Sequence, residues 1–272
     1  MALKTEWTRF GARGEHAGYL AWPERTTGPL PGVIVLQEVW GVDDHIEDVT
    51  RRFAGAGYAA FAPDLYVVDG ERPAPLAPAR ILAYRLFMEG LPRAAWMDAA
   101  LRQAALDELP AAESAPLAET FAALGMGAPP KPERHATVLA AARYLRAECP
   151  ATRGQKIGAV GFCLGGGLAA RLACDDPELA ASVIFYGMAP PPDALPRIAC
   201  PVLGFYGALD ARISDGVPAF AAAMKAAGKR FEPHVYAGAQ HAFFNDGRPS
   251  YDPAAARDAF ARALAFLRAE LS

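Results

Sequence analysis

The sequence predicts an α/β fold: a mostly parallel sheet flanked by helices, with a helical insertion. Three observations predict it. Short apolar runs of strand length recur along the chain, and most are continuous, as in strands buried on both faces. Helical spacings fall between them, and that alternation builds a parallel sheet covered on both sides. One long segment, from 66 to 132, breaks the rhythm: it is rich in Ala, Leu and Pro and has no clear strand.

Taken in order, residues 10–22 mix polar and apolar side chains with glycines and suit an early β-hairpin. Gly32–Leu36 is a continuous apolar run, expected of a buried parallel strand. Residues 43–56 have helical spacing, with Ile46, Val49, Phe53 and Ala54 on one side, and 58–63 read as the next strand. The insertion, set at about 73–132, carries helical stretches near 77–90, 93–109 and 114–124. Four more strands follow at 156–162, 181–186, 201–206 and 231–236, with helices near 134–148, 215–228 and 253–270. Helices inserted over the carboxyl ends of strands often shape a substrate pocket. A length of 272 residues, 53% of them hydrophobic, fits one such domain, residues 1–272.

Composition excludes several function classes. The formal net charge is -3 and the basic residues are scattered, so no nucleic-acid footprint is expected. Residues 1–7 lack the apolar core of a secretory signal, and no apolar run is long enough to span a bilayer, so no membrane partner is expected. The four cysteines, Cys149, Cys163, Cys174 and Cys200, show neither metal-site nor disulfide-framework spacing. The expectation is a soluble, cytoplasmic protein with reduced thiols and no metal, in which Cys149, Cys174 and Cys200 are structural.

Cys163 is different. Gly161-Phe162-Cys163-Leu164-Gly165 follows an apolar strand and precedes a small-residue helix. Strand, Gly-x-nucleophile-x-Gly, helix is the nucleophile elbow of the α/β-hydrolase architecture, here with cysteine at its centre. The glycines let strand and helix approach closely, and the helix N-terminus favours a thiolate and a developing oxyanion. A buried structural cysteine beside a glycine-rich helix start is the plainer reading of this motif taken alone.

The rest of a triad follows in the chain order nucleophile, acid, histidine. Asp210 lies just past the strand 201–206. Asp215 better suits an N-cap of the next helix, and Asp193 precedes the strand. Of the two later histidines, His234 sits inside the last strand and His241 in the loop after it, free to reach the elbow. The expected roles are attack by Cys163, proton exchange by His241 and orientation of the imidazole by Asp210. Backbone N–H groups of Val39 and Leu164 would hold the oxyanion. Glu38 precedes Val39; its carboxylate could keep the resting thiol protonated, then take its proton when an anionic substrate displaces it. A solvated loop glutamate is the plainer alternative.

The stretches Gln37-Glu38-Val39-Trp40-Gly41, Ala62-Pro63-Asp64-Leu65-Tyr66, Gly161–Gly166, Gly207-Ala208-Leu209-Asp210 and the His241 loop together resemble the dienelactone hydrolase family. The resemblance implies a cofactor-free Cys-His-Asp hydrolase acting on a small-molecule enol-lactone that carries a carboxylate. It implies a substrate-carboxylate site at Arg80 and Tyr84, an arginine four residues before a tyrosine. Phe87 stands where the family often has tryptophan. Trp40, Phe243 and Asn245 complete the substrate-facing set, Asn245 occupying the position of a second family arginine, with Arg248 close by. The expected function is therefore a cysteine hydrolase of small esters or lactones. A non-catalytic binding or redox-sensing protein on the same scaffold is the alternative from another class. A serine esterase built on Ser182 or Ser214 is disfavoured because neither lies in an elbow.

Overall fold

The computed structural model describes residues 2–96, 98–126 and 131–272. Met97 and residues 127–130, which fall within the expected insertion, lie outside the described residues. The chain runs β1 (Leu3–Phe10), β2 (His16–Pro23), β3 (Gly32–Leu36), α1 (Asp44–Gly55) and β4 (Ala59–Pro63), then helices α2 (Pro78–Glu89), α3 (Ala99–Asp107), α4 (Ala111–Leu124) and α5 (Pro132–Ala147). It continues β5 (Ile157–Phe162), α6 (Leu164–Asp175), β6 (Ala181–Phe185), β7 (Val202–Gly207), α7 (Ala211–Ser214), α8 (Val217–Ala226), β8 (Phe231–Tyr236) and α9 (Pro253–Leu271).

The eight strands form one sheet in the order β1-β2-β4-β3-β5-β6-β7-β8. β1 and β2 pair antiparallel, as do β2 and β4; the remaining pairs are parallel. The expected hairpin at 10–22 begins earlier than its composition indicated, because β1 lies on the sheet edge and is largely exposed, leaving no apolar run to read. Successive side chains of β3 point to opposite faces: Ile34 and Leu36 join one core, Val33 and Val35 the other. The first core is closed by α5, α6 and α8 through Leu145, Leu168, Leu172, Phe220 and Met224. The second is closed by α1 and α9 through Ile46, Val49, Phe53, Ala259 and Leu267. α1 starts where expected because the Asp43 side chain accepts the Ile46 N–H at 3.1 Å, an N-cap.

Among the described residues, the segment between β4 and α5 is helical from residue 74 on, after a non-helical stretch with one β-bridge, Val68 to Glu71. The stretch expected as one helix over 93–109 is a 3-10 turn (Arg93–Trp96) followed by α3, which Asp98 caps by accepting from the Ala100 and Leu101 amides. A third apolar cluster, with Trp40, Tyr66, Ile81, Tyr84, Met88 and Leu124, packs α2 and α4 onto the loop after β3. Among the described residues, no helix is long and apolar enough to cross a membrane.

Candidate active site

The strands β3, β5, β6 and β7 run parallel, so their carboxyl ends open on the same edge of the sheet, and the candidate residues collect there. Cys163 joins β5 to α6 with φ 53° and ψ −112°. Positive φ in a non-glycine residue is strained, and the surrounding glycines explain how it is tolerated. A Cβ on Gly161 would lie 1.9 Å from the Gly165 carbonyl oxygen; one on Gly165 would lie 2.2 Å from the Leu36 oxygen; one on Gly166 would lie 2.8 Å from Gly187 Cα. The strand, the helix and their neighbours thus approach to backbone contact. The Cys163 N–H is held by the Phe185 carbonyl at 3.0 Å, and the Gly165 N–H by the Gln37 carbonyl at 3.0 Å. Leu164, the first residue of α6, presents one of the helix N–H groups that have no intrahelical acceptor.

His241 lies in the turn after β8, and its Nδ1 is 2.5 Å from Asp210 Oδ2. Asp210 occupies the cap position of α7 but makes no side-chain cap bond, which leaves its carboxylate to the imidazole. Burial opposes a charge on His241. The negative charge of Cys163 and hydrogen bonds to Asp210 and Cys163 overcome it, and the imidazole is pushed up to about 10. The structure therefore joins His241 to Asp210 in one hydrogen-bonded pair, with Cys163 near enough to act on the imidazole. His234 is elsewhere, paired with Glu232 at 2.8 Å and stacked on Phe205. Ser182 is fully buried and donates to the Ala169 carbonyl, a structural role. Asp215 does not cap α8: the cap residue is Gly216, and Asp215 closes the short α7 instead.

Glu38 is only 3% exposed. Its Oε1 accepts from the Tyr186 hydroxyl at 3.1 Å and its Oε2 from the Asn245 amide at 2.9 Å. Glu38 is thus no solvated loop residue. Its carboxylate turns to two neutral donors, one after β6 and one in the His241 loop. Tyr186 has φ 41° and sets its ring edge-on to His241 at 5.1 Å. Burial first, then the charges of Glu38 and Cys163, hold its phenol well above the usual range, so it remains a donor. Nothing in the chain order marked Tyr186; its only signal was its place just past a central strand.

The substrate-facing expectations need correction at three residues. Asn245 is 1% exposed and committed to Glu38, so it lines the site from beneath. Phe243 is fully buried between Tyr186 and Tyr236, with ring centroids at 5.5 and 5.3 Å. Ala242, just before it, has φ 60°. Arg80 donates to the Pro116 carbonyl at 2.6 Å and to Glu119 at 2.9 Å, so α4 takes up its guanidinium. Trp40, Tyr84 and Phe87 do share one aromatic cluster, with Tyr84 6.5 Å from Trp40 and 6.3 Å from Phe87. Arg248 lies with its guanidinium 5.3 Å from both the Trp40 and Trp96 rings and its Nε 3.1 Å from Glu89. Trp96 and Glu89 carried no signal in the sequence, because only folding places them beside Trp40.

Comparison with known protein families matches residues 16–271 to the Dienelactone hydrolase family. The chain belongs to the dienelactone hydrolase family. Two relatives, both named "putative carboxymethylenebutenolidase", extend the match. The one from Saccharolobus solfataricus is 36% identical over 92% of this chain and 92% of its own length. The one from Escherichia coli strain K12 is 31% identical over 98% of this chain and 88% of its own length. Among solved structures, one described as a "putative dienelactone hydrolase" from Klebsiella pneumoniae subsp. pneumoniae is 30% identical. It superposes with a TM-score of 0.71 over 98% of this chain and 99% of that one. Membership of the dienelactone hydrolase family makes this chain a hydrolase of the α/β-hydrolase fold acting on small molecules.

Proposed function

We propose that the protein is a cysteine hydrolase of small esters or lactones, of the kind the name carboxymethylenebutenolidase describes. The observation that carries this reading is the His241–Asp210 pair hydrogen-bonded beside Cys163 at the elbow. Cys163 attacks the carbonyl carbon as its proton passes to His241. The N–H groups of Val39 and Leu164 take the negative charge that develops on the carbonyl oxygen. The C–O bond breaks, the alkoxide or enolate leaves with the proton from His241, and a thioester remains. His241, neutral again, takes a proton from water as the hydroxyl attacks the thioester, and the acid and the thiolate are released. Asp210 keeps Nδ1 occupied throughout, so the other ring nitrogen always faces the sulfur.

Glu38 places a second buried carboxylate near this centre, supporting a role in setting when the thiolate forms. The helices α2–α4, packed on Trp40, are assigned as a cap over the pocket. A substrate carboxylate is assigned to Arg248, which Glu89 and two tryptophans hold in place and whose charge reaches Tyr186. The test is a panel of aryl esters and of neutral and carboxylate-bearing lactones, assayed with wild type and Cys163→Ala. Hydrolysis lost in Cys163→Ala supports the reading; equal turnover by the two proteins rejects Cys163 as nucleophile. A preference for the anionic lactones supports Arg248, and indifference favours a broader esterase.

A further inference from the structure

An oxyanion donor on a loop is only as effective as the loop is rigid, and the loop after β3 is braced from below by residues 64–72. The Leu65 N–H donates to Gln37 Oε1 at 3.1 Å. Arg72, ion-paired with Asp64 at 2.5 Å, donates to the Val42 carbonyl at 3.2 Å. The Tyr66 hydroxyl donates to the Val39 carbonyl at 2.6 Å. Inside the loop, the Gly41 N–H closes a turn onto the Glu38 carbonyl at 3.2 Å, with Gly41 at φ 89°.

These bonds act on Val39 specifically. Its N–H belongs to the Glu38–Val39 peptide, and in a trans peptide N–H and C=O point opposite ways. Holding the Glu38 carbonyl inside the turn therefore aims the Val39 N–H outward. The next peptide, Val39–Trp40, is held by Tyr66. With both planes fixed, the two soft dihedrals of Val39 are set. Tyr66 itself cannot swing: it is 1% exposed, with the Arg134 guanidinium 4.9 Å from its ring and that of Arg72 6.0 Å away. Burial, above all, keeps its phenol protonated and hence a donor.

We propose that Tyr66 is a positioning residue of the oxyanion site, its hydroxyl locking the Val39–Trp40 peptide so that the Val39 N–H stays aimed at the oxygen that becomes charged. This rests on the reading of Cys163 as nucleophile and Val39 as donor given above. Tyr66 touches no substrate; it acts through Val39.

The experiment is Tyr66→Phe, which keeps the ring and removes the donor. Loss of a whole oxyanion donor typically costs about two to three orders of magnitude in turnover. A donor left in place but loosened should cost less, about 10- to 100-fold in kcat, with KM nearly unchanged. Alkylation of Cys163 by iodoacetamide forms no oxyanion, so its rate should match wild type. A merely structural defect would slow both reactions. Gly41→Ala perturbs the same turn independently, since a Cβ there meets Arg72 at 3.1 Å and Tyr66 at 3.3 Å at a positive φ. It should give the same split, and it decides the matter if Tyr66→Phe melts out. Unchanged kcat, or equal falls in turnover and alkylation, overturns the assignment. Cys163→Ala separates the two failures: if it stays active, the nucleophile reading falls and this one with it. If it is dead while Tyr66→Phe turns over normally, only the role of Tyr66 is lost.

Discussion

Two glycines two residues apart in α6 should respond to alanine in opposite ways. A Cβ on Gly165 would lie 2.2 Å from the Leu36 oxygen, 2.5 Å from its carbon and 2.6 Å from the Gln37 oxygen, all backbone. No side chain can rotate away, so α6 must withdraw from β3, and the Gly165 N–H bond to Gln37 lengthens. Overpacking of this kind costs about 1–3 kcal/mol, and more when backbone must move. At about 2 °C per kcal/mol for a chain of this size, Gly165→Ala should melt about 2–6 °C lower. Withdrawal also drags Leu164 and its N–H from the elbow. A displacement of about 1 Å can cost about 100-fold in rate. Gly167 is the control: its Cβ would meet only Met188 backbone atoms at 3.8 Å, ordinary contact. Alanine there should add about 0.5–1 kcal/mol of helix stability and leave turnover intact. The assay is a calorimetric melt and kcat/KM on one aryl ester for both variants. Equal melting and equal turnover of Gly165→Ala and Gly167→Ala would refute the close-approach account of the elbow.

Other outcomes follow from the same site. In wild type the His241 imidazole should titrate near 10, and in Cys163→Ala well below that, because the charge of Cys163 raises it; histidine NMR resolves the two, and identical curves refute that influence. Since the unfolded value is about 6.5, the stability this group contributes is complete below pH 6.5. It is lost as pH rises through about 10, a window that urea melts at several pH values would display. Arg72→Leu strands Asp64, 3% exposed, without its cation and should cost about 3–5 kcal/mol in a urea melt; a loss under about 1 kcal/mol would mean water reaches Asp64. Asn245→Ala leaves one Glu38 oxygen unpaired in the interior and should cost about 1–3 kcal/mol by the same measurement, with no change meaning the bond is replaced. Arg80→Leu should leave KM for a carboxylate-bearing lactone within about twofold, whereas a tenfold rise would restore Arg80 as its anchor.

The central strands and their helices were legible because each carries a local signal. β3, β5, β6 and β7 are continuous apolar runs, and α1 has both an apolar stripe and a capping aspartate. β1 was not, since an exposed edge strand needs no apolar pattern. Cys163 and the order Asp210, His241 were readable because elbow geometry demands particular glycines and the strand ends sit at known intervals. Glu38 stood out in the sequence as a carboxylate beside the expected oxyanion donor, and the structure buries it. Its partners Tyr186 and Asn245, 148 and 207 residues away, were not deducible, because no local rule links residues so distant.

The sequence by itself determined which side chains the proposed chemistry rests on: a cysteine with glycines on both sides, an aspartate and a histidine after successive strands. Those are matters of side-chain chemistry and backbone sterics, and both are local. Only the tertiary structure decided where the other charges point. It turned Arg80 to α4, buried Phe243 and Asn245, set Arg248 between two tryptophans and tied Tyr66 to the loop that bears Val39. A long polar side chain goes where its nearest partner and its lowest desolvation cost lie, and folding alone establishes both.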